Sequence, residues 1–213
     1  MQDLSKLFVS SANSQDGYND PEFPEMVEWF EKRTSYHIES VRRYISIANS
    51  VLEDIDHSKM EQKAIDHDRD KFEQPLFIPY VYLTWYYHCI YGDGPKEFKL
   101  SDEMQKSCND MSFKHTKQNS HHPESFDASL EQNQDLIGTD RDKKSLGNKP
   151  VDASLMDKES MVEFCCDLCA VGEERGNSPM SFFNKMNGKK WKFNKEQTKF
   201  IKMVFKEIWK RGR

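Results

Sequence analysis

Residues 24–56, PEMVEWFEKRTSYHIESVRRYISIANSVLEDID, carry apolar side chains at 27, 30, 41, 44, 45, 48, 51, 52 and 55. That is the three-and-four spacing of one helical face, not the alternation of a strand. Pro24 stands near the start, where a first helical turn tolerates it. His37 falls on the same stripe as Val41, Tyr44 and Ala48. The pattern recurs along the chain. Residues 61–74 read as a second helix, bounded by Pro75. FIPYVYLTWYYHCIY (77–91) is the most apolar stretch and reads as a buried helix ended by Gly92 and Gly94-Pro95. Residues 101–119 and 155–171 read as two more. The last helix opens at Asn194 with Gln197 three residues on, a capping-box arrangement. It sets Phe200, Ile201, Val204, Phe205, Ile208 and Trp209 on one side, a face that suits a core or a homodimer equally. No convincing alternating strand appears, so the predicted fold class is all-α.

The chain has 213 residues, enough for one domain with a sizeable core. We divide it into an N-terminal arm (1–23) and a helical domain (24–213) with a polar insert at 126–152. The tetrapeptide Asp-Ala-Ser-Leu occurs at 127–130 and again at 152–155, too little for a repeat architecture. A net charge of -5 argues against a dedicated nucleic-acid binder. No apolar run of about 18 residues exists, so no membrane span is expected. The start shows no signal-peptide pattern. Five cysteines, three of them at 165, 166 and 169, do not make a secreted disulfide framework. The expected setting is cytoplasmic and reducing.

Within this helical frame, imidazoles and carboxylates collect in a few places. Asp66-His67-Asp68-Arg69-Asp70-Lys71 is a dense charge run, ordinarily a solvated surface. His115 is followed by His121-His122-Pro123-Glu124. Asp167 lies inside the cysteine-rich segment CCDLC, where a helix should be buried. A buried ionised carboxylate is costly unless it is paired or holds a metal. A lone buried histidine such as His37 is more often simply hydrogen-bonded in a core. His57 reads as a solvated helix end and His88 as a packing residue. Cys165 and Cys169 share a helix face, Cys166 turns away, and no second pair completes a zinc site, so the thiols read as core.

Taken in order, His37, His67-Asp68, His121-His122 and Asp167 resemble the ligand series of the HD-domain metal-dependent phosphohydrolase superfamily. The resemblance is nearest to an HD-like family found largely in phages and bacteria. Its pattern runs from a histidine to His-Asp-x-Ser-Lys, His-x3-Asn-x-His-His-Pro-Glu and Glu-x3-Asp-Trp-x-Ala. Here the segments are His37-Ile-Glu-Ser-Val41, His67-Asp-Arg-Asp-Lys-Phe-Glu73, His115-Thr-Lys-Gln-Asn119-Ser-His-His-Pro-Glu124 and Glu163-Phe-Cys-Cys-Asp167-Leu-Cys-Ala170. The likeness covers roughly residues 35–125 and 150–180. Asp70 stands where that family has a small residue, and Leu168 where it has Trp.

The resemblance implies an HD-like helical bundle with its ligands pointing inward. It implies that His37, His67, Asp68 and Asp167 hold one divalent transition ion (Mn, Fe, Co, Ni or Zn). Asp68 would bridge to a second ion held by His115, His121 and His122. It makes Lys71 a phosphate-binding and charge-stabilising group, Asn119 a substrate contact, and Glu73 and Glu124 orienting or proton-transfer groups. The expected activity is hydrolysis of a nucleotide or related small phosphate ester through a metal-activated water. Three rivals stand beside it: a di-iron HD-type oxygenase, a catalytically silent nucleotide-binding or regulatory module, and a purely structural helical protein.

Overall fold

A computed structural model describes residues 21–130 and 149–213. Most of the expected arm and residues 131–148 of the expected insert lie outside the described residues. The described chain is an all-α fold of seven helices with one very short strand pair.

Helix α1 (Phe23–Val51) is the spine, 29 residues and about 43 Å long. It begins one residue inside the expected arm, and Phe23 is already buried. Its buried side divides between two cores. Phe23, Met26 and Phe30 pack with α3 (Phe77–Tyr91) and Cys108 of α4 (Asp102–Gln118). Val41, Tyr44, Ile45 and Ala48 pack with α5 (Lys158–Glu174), α6 (Pro179–Met186) and α7 (Lys195–Trp209). His37 sits on α1 between Phe30 and Val41, at the seam of the two cores. Helix α3 is apolar on all sides and is a helix rather than a strand, because it fills the gap between α1 and α4.

Side-chain caps open three of these helices, and the one at Asn194 was expected. Ser101, Asp157 and Asn194 cap α4, α5 and α7, and Gln197 completes the capping box. Ile201, Val204, Phe205 and Ile208 of α7 are buried within the chain's own core. Cys165, Cys166 and Cys169 are buried free thiols, and burial pushes their pKa values up, as packing residues require.

Three expectations need correction. Residues 61–74 are not one helix: α2 runs His57–Asp66, the chain breaks at His67-Asp68, and a single 3₁₀ turn covers Arg69–Phe72. His57 is the exposed first residue of α2, the solvated helix end that was expected, and its Nε2 lies 3.1 Å from the Leu52 carbonyl. Helix α4 runs Asp102–Gln118, which bears out the expected helix over 101–119, and His121 and His122 lie on the turn after it, with a 3₁₀ turn at Pro123–Phe126. Strands β1 (Val151–Asp152) and β2 (Trp191–Lys192) pair in parallel, two residues each, and α6 forms where no helix was expected. The two Asp-Ala-Ser-Leu copies adopt the same turn, in which the aspartate accepts from the serine N–H two residues on. Asp127 also accepts from the Asp152 N–H at 2.9 Å, which ties the insert's two ends together.

Candidate metal centre

Three helices and two turns deliver the site. Helix α1 presents His37, α4 presents His115 from its last turn, and α5 presents Asp167. The turn after α4 presents His121 and His122. The break after α2 presents His67 and Asp68. Asp68 adopts φ 57°, the left-handed region, which costs a residue with a Cβ about 1–2 kcal/mol. In return both side chains face inward, each residue only 1% exposed.

Asp68 stands at the middle. Its Oδ2 lies 3.6 Å from His37 Nε2 and 3.8 Å from His67 Nε2. Its Oδ1 lies 3.2 Å from His115 Nε2 and 3.6 Å from His121 Nε2. His37 Nε2 is also 3.1 Å from Asp167 Oδ1. One ligand atom each from His37, His67 and Asp167 lie within 4.8 Å of one another, as do those of His115, His121 and His122. One carboxylate thus separates two groups and offers an oxygen to each.

The outer imidazole nitrogens decide what those short distances mean. His67 Nδ1 is 3.0 Å from Glu163 Oε1, and His121 Nδ1 is 3.4 Å from the same oxygen. His115 Nδ1 is 2.8 Å from Asp70 Oδ2. A carboxylate only accepts, so Nδ1 carries the proton, and in a neutral ring Nε2 is then a lone pair. In the neutral, metal-ready form of the rings, His67, His115 and His121 therefore turn three lone pairs to the Asp68 oxygens. These approaches are not hydrogen bonds: His67 Nε2, His115 Nε2, His122 Nε2 and Asp68 Oδ1 are buried with no hydrogen-bond partner. Each such orphan costs about 1–3 kcal/mol, and native interiors rarely keep them. The Lys71 ammonium, 2.6 Å from Asp68 Oδ2, answers only one of the two oxygens. A cation in the centre removes the conflict. Imidazole and carboxylate donors in this mixture suit Mn, Fe, Co, Ni or Zn, so these buried groups can hold a metal ion.

The charge states agree at His121 and His122 and differ at His67. Burial, with the neighbouring His121 and His115, holds His122 well below the usual imidazole range. Burial and His67 lower His121. Burial would lower His67 too, but Asp68, Glu163 and Asp167 outweigh it and raise its pKa. Burial opposes ionisation of Asp68, yet Lys71, His67 and His115 carry it well below the carboxylate range. Asp167 is lowered against its burial mainly by the bond to His37, and Glu163 by its bonds to His121 and His67.

Not every expected residue joins the centre in its expected role. Lys71 does, and its Nζ lies 5.1 Å over the Tyr80 ring. Asn119 caps α4 and donates to Asp70 Oδ2 at 2.7 Å, so it holds the support of His115. Glu124 is buried but accepts from Trp191 Nε1 at 3.3 Å rather than from a histidine. Glu73 is exposed, and among the described residues no side-chain hydrogen bond or ion pair joins its carboxylate to the centre. His88 stacks on Trp29 with ring centroids 3.6 Å apart, a packing role. Three residues that the sequence reading left without a role matter: Glu163, Asp70 and Lys63. Glu163 had a usable signal, since it lies one helical turn before Asp167 on α5.

A family model, described as a family of unknown function (DUF5662), matches residues 26–209. The chain belongs to this family. No curated protein and no solved structure is significantly similar to it. The matched span of DUF5662 runs from the first turn of α1 to the end of α7 and contains every residue of the centre.

Proposed function

We propose that this DUF5662 chain is a metal-dependent phosphohydrolase of HD type, acting on a nucleotide or related small phosphate ester. The observation that carries the reading is Asp68, whose two oxygens face the lone pairs of two separate histidine groups. His37, His67, Asp68 and Asp167 would hold one ion, and Asp68 with His115, His121 and His122 a second. Divalent metal bound there supplies Lewis acidity toward a phosphoryl oxygen and a water acidified to near-neutral pKa.

The chain's own groups support the rest. The Asp167 and Lys71 side chains are 17% and 16% exposed, whereas those of His67, His115 and His121 are 3% or less. Substrate therefore approaches past Asp167 and Lys71. The Lys71 ammonium stands where charge on a phosphate needs stabilising. The buried ring walls exclude bulk water and strengthen that interaction. Five free, buried thiols fit a reducing, intracellular setting.

The test is elemental analysis of protein purified without chelator, for the unsubstituted chain and Asp68→Ala, followed by a nucleotide hydrolysis screen with added Mn. One to two equivalents lost in the variant, with phosphate release, support the reading. No metal bound and none taken up on titration sinks it. The set of His37, His67, His115 and His121 with Asp68 and Asp167 also matches the four-histidine, two-aspartate donor set of di-iron HD-type oxygenases. Oxygen consumption after anaerobic Fe(II) loading, without phosphate release, would favour that second reading. Tight nucleotide binding with neither product would mark a regulatory module.

A further inference from the structure

The two halves of the centre are joined on both sides. On the inner side they share Asp68. On the outer side they share Glu163, whose Oε1 lies 3.0 Å from Nδ1 of His67 and 3.4 Å from Nδ1 of His121. These two histidines belong to different halves. His67 Nε2 faces Asp68 Oδ2, and His121 Nε2 faces Asp68 Oδ1. Their rings lie 4.3 Å apart between centroids, so neither turns without disturbing the other.

Glu163 is itself fixed. Its other oxygen, Oε2, accepts from Lys63 Nζ at 2.9 Å. Lys63 also donates to Ser120 Oγ at 2.6 Å and Ser160 Oγ at 3.2 Å. Ser160 belongs to the first turn of α5 and Ser120 to the turn that carries His121. One ammonium from α2 thus ties Glu163 to the segments on either side of it. A cleft of about 350 Å³ lies beyond, lined by Lys63, His67, His121 and Glu163 among others.

We infer that Glu163 is a shared positioning residue: one carboxylate oxygen fixes the imidazoles of His67 and His121 together, so a single side chain aims both halves of the centre. This rests on the metal-centre reading above. A carboxylate behind a ligating histidine fixes the tautomer and raises ligand basicity, and its loss typically costs 10–100-fold in metal affinity. An ordinary outer carboxylate serves one ligand. Glu163 serves one in each half, so its loss weakens both sites in parallel.

Two readouts test this on the full chain after chelation. Imidazole ¹⁵N NMR at mildly alkaline pH reports which ring nitrogen carries the proton, with no metal needed. The unsubstituted chain is expected to hold the proton on Nδ1 in both His67 and His121, and Glu163→Gln to lose that preference at both. Calorimetric titration with Co²⁺ is expected to give affinities about 10–100-fold weaker at both sites in Glu163→Gln. Lys63→Met keeps the carboxylate but removes its anchor, so it carries the same test with a smaller parallel loss should Glu163→Gln not fold. A merely structural Glu163 would lower thermal stability and move neither the tautomers nor the affinities. Loss at one site only, or unchanged affinity, overturns the inference. No Co²⁺ uptake by the unsubstituted chain overturns the metal reading itself; uptake by it with an unaltered Glu163→Gln overturns this inference alone.

Discussion

Asp68→Asn removes a charge while keeping the shape, and its two consequences have opposite signs. Without metal, the substitution strands the Lys71 ammonium that stood 2.6 Å from Oδ2. Breaking a buried pair from one side costs about 3–5 kcal/mol, and the partial exposure of Lys71 puts this case at or below the low end. Against that, the substitution relieves the facing lone pair of His67 or His115, at about 1–3 kcal/mol for a buried orphan satisfied. The asparagine amide donates to one of those rings, so the two effects nearly cancel. With metal, nothing cancels, because an amide would offer one neutral oxygen where the carboxylate offers two charged ones. Ligand at about 1,000 times its Kd stabilises a fold by about 4 kcal/mol. For a chain of this size each kcal/mol moves Tm by about 2–4 °C, so saturating metal should raise the unsubstituted Tm by roughly 8–16 °C. Thermal unfolding of chelated protein, then with Co²⁺ or Zn²⁺ added, measures both effects. The expected result is an Asp68→Asn variant within a few degrees of the unsubstituted chain when chelated, and without the metal-induced rise. A rise as large as in the unsubstituted chain would refute the bridging role.

The contrast between Lys71 and Glu73 checks the placement of the charge run. Lys71→Met should keep the metal content and lose most of the turnover, whereas exposed Glu73→Ala should change stability by no more than about 0.5 kcal/mol and leave turnover unaltered. The chelated protein should lose stability as pH falls from about 7 to about 5. His121 and His122 are lowered in the fold by burial and by neighbouring imidazoles, so below about pH 6.5 the unfolded chain binds more protons at these positions. His67, raised in the fold by its carboxylates, has the opposite sign: its contribution is present below about pH 6.5 and lost as pH rises through its folded value. Two lowered groups set against one raised group give a net loss toward acid, and a Tm that climbs on acidification would refute this accounting. Asn194→Ala removes the capping box of α7 and should cost about 1 kcal/mol, a drop of a few degrees in Tm with metal content untouched.

The helices were legible because apolar spacing and burial are the same fact seen twice. The stripe at Val41, Tyr44, Ile45 and Ala48 is the line along which α1 meets α5 and α7, and Asn194 with Gln197 marks a start through hydrogen bonds made within four residues. The break at His67-Asp68 was not legible. Ile65-Asp66-His67-Asp68-Arg69 holds no glycine or proline, and the positive φ at Asp68 is imposed by distant partners on α1, α4 and α5. Strands of two residues are likewise too short to show alternation. The candidate metal-binding residues could be picked out in the sequence; of the carboxylates behind them only Glu163 left a signal, its place one helical turn before Asp167, because an orienting carboxylate otherwise differs from a surface one only by what lies beside it.

Asp70 illustrates the point and yields a prediction of its own. It stands where the resembling family has a small residue, so the sequence alone presents it as an added surface charge. In the fold its carboxylate lies 3.0 and 2.8 Å from His115 Nδ1 and accepts from Asn119 Nδ2 at 2.7 Å. Its pKa is lowered against its partial burial by those two partners. Asp70→Ser restores the smaller residue and removes the support of His115. Asn119, whose Nδ2 is already 3.0 Å from His115 Nδ1, can present its amide oxygen there after a flip. The loss should therefore sit at or below the low end of the range for an orienting carboxylate, about 10-fold in affinity, and fall on one of two Co²⁺ sites. Equal weakening of both sites would mean that His115 is not confined to one half. No weakening at all would mean that Asn119 alone suffices to aim His115, and Asp70 would then be the surface charge it resembles.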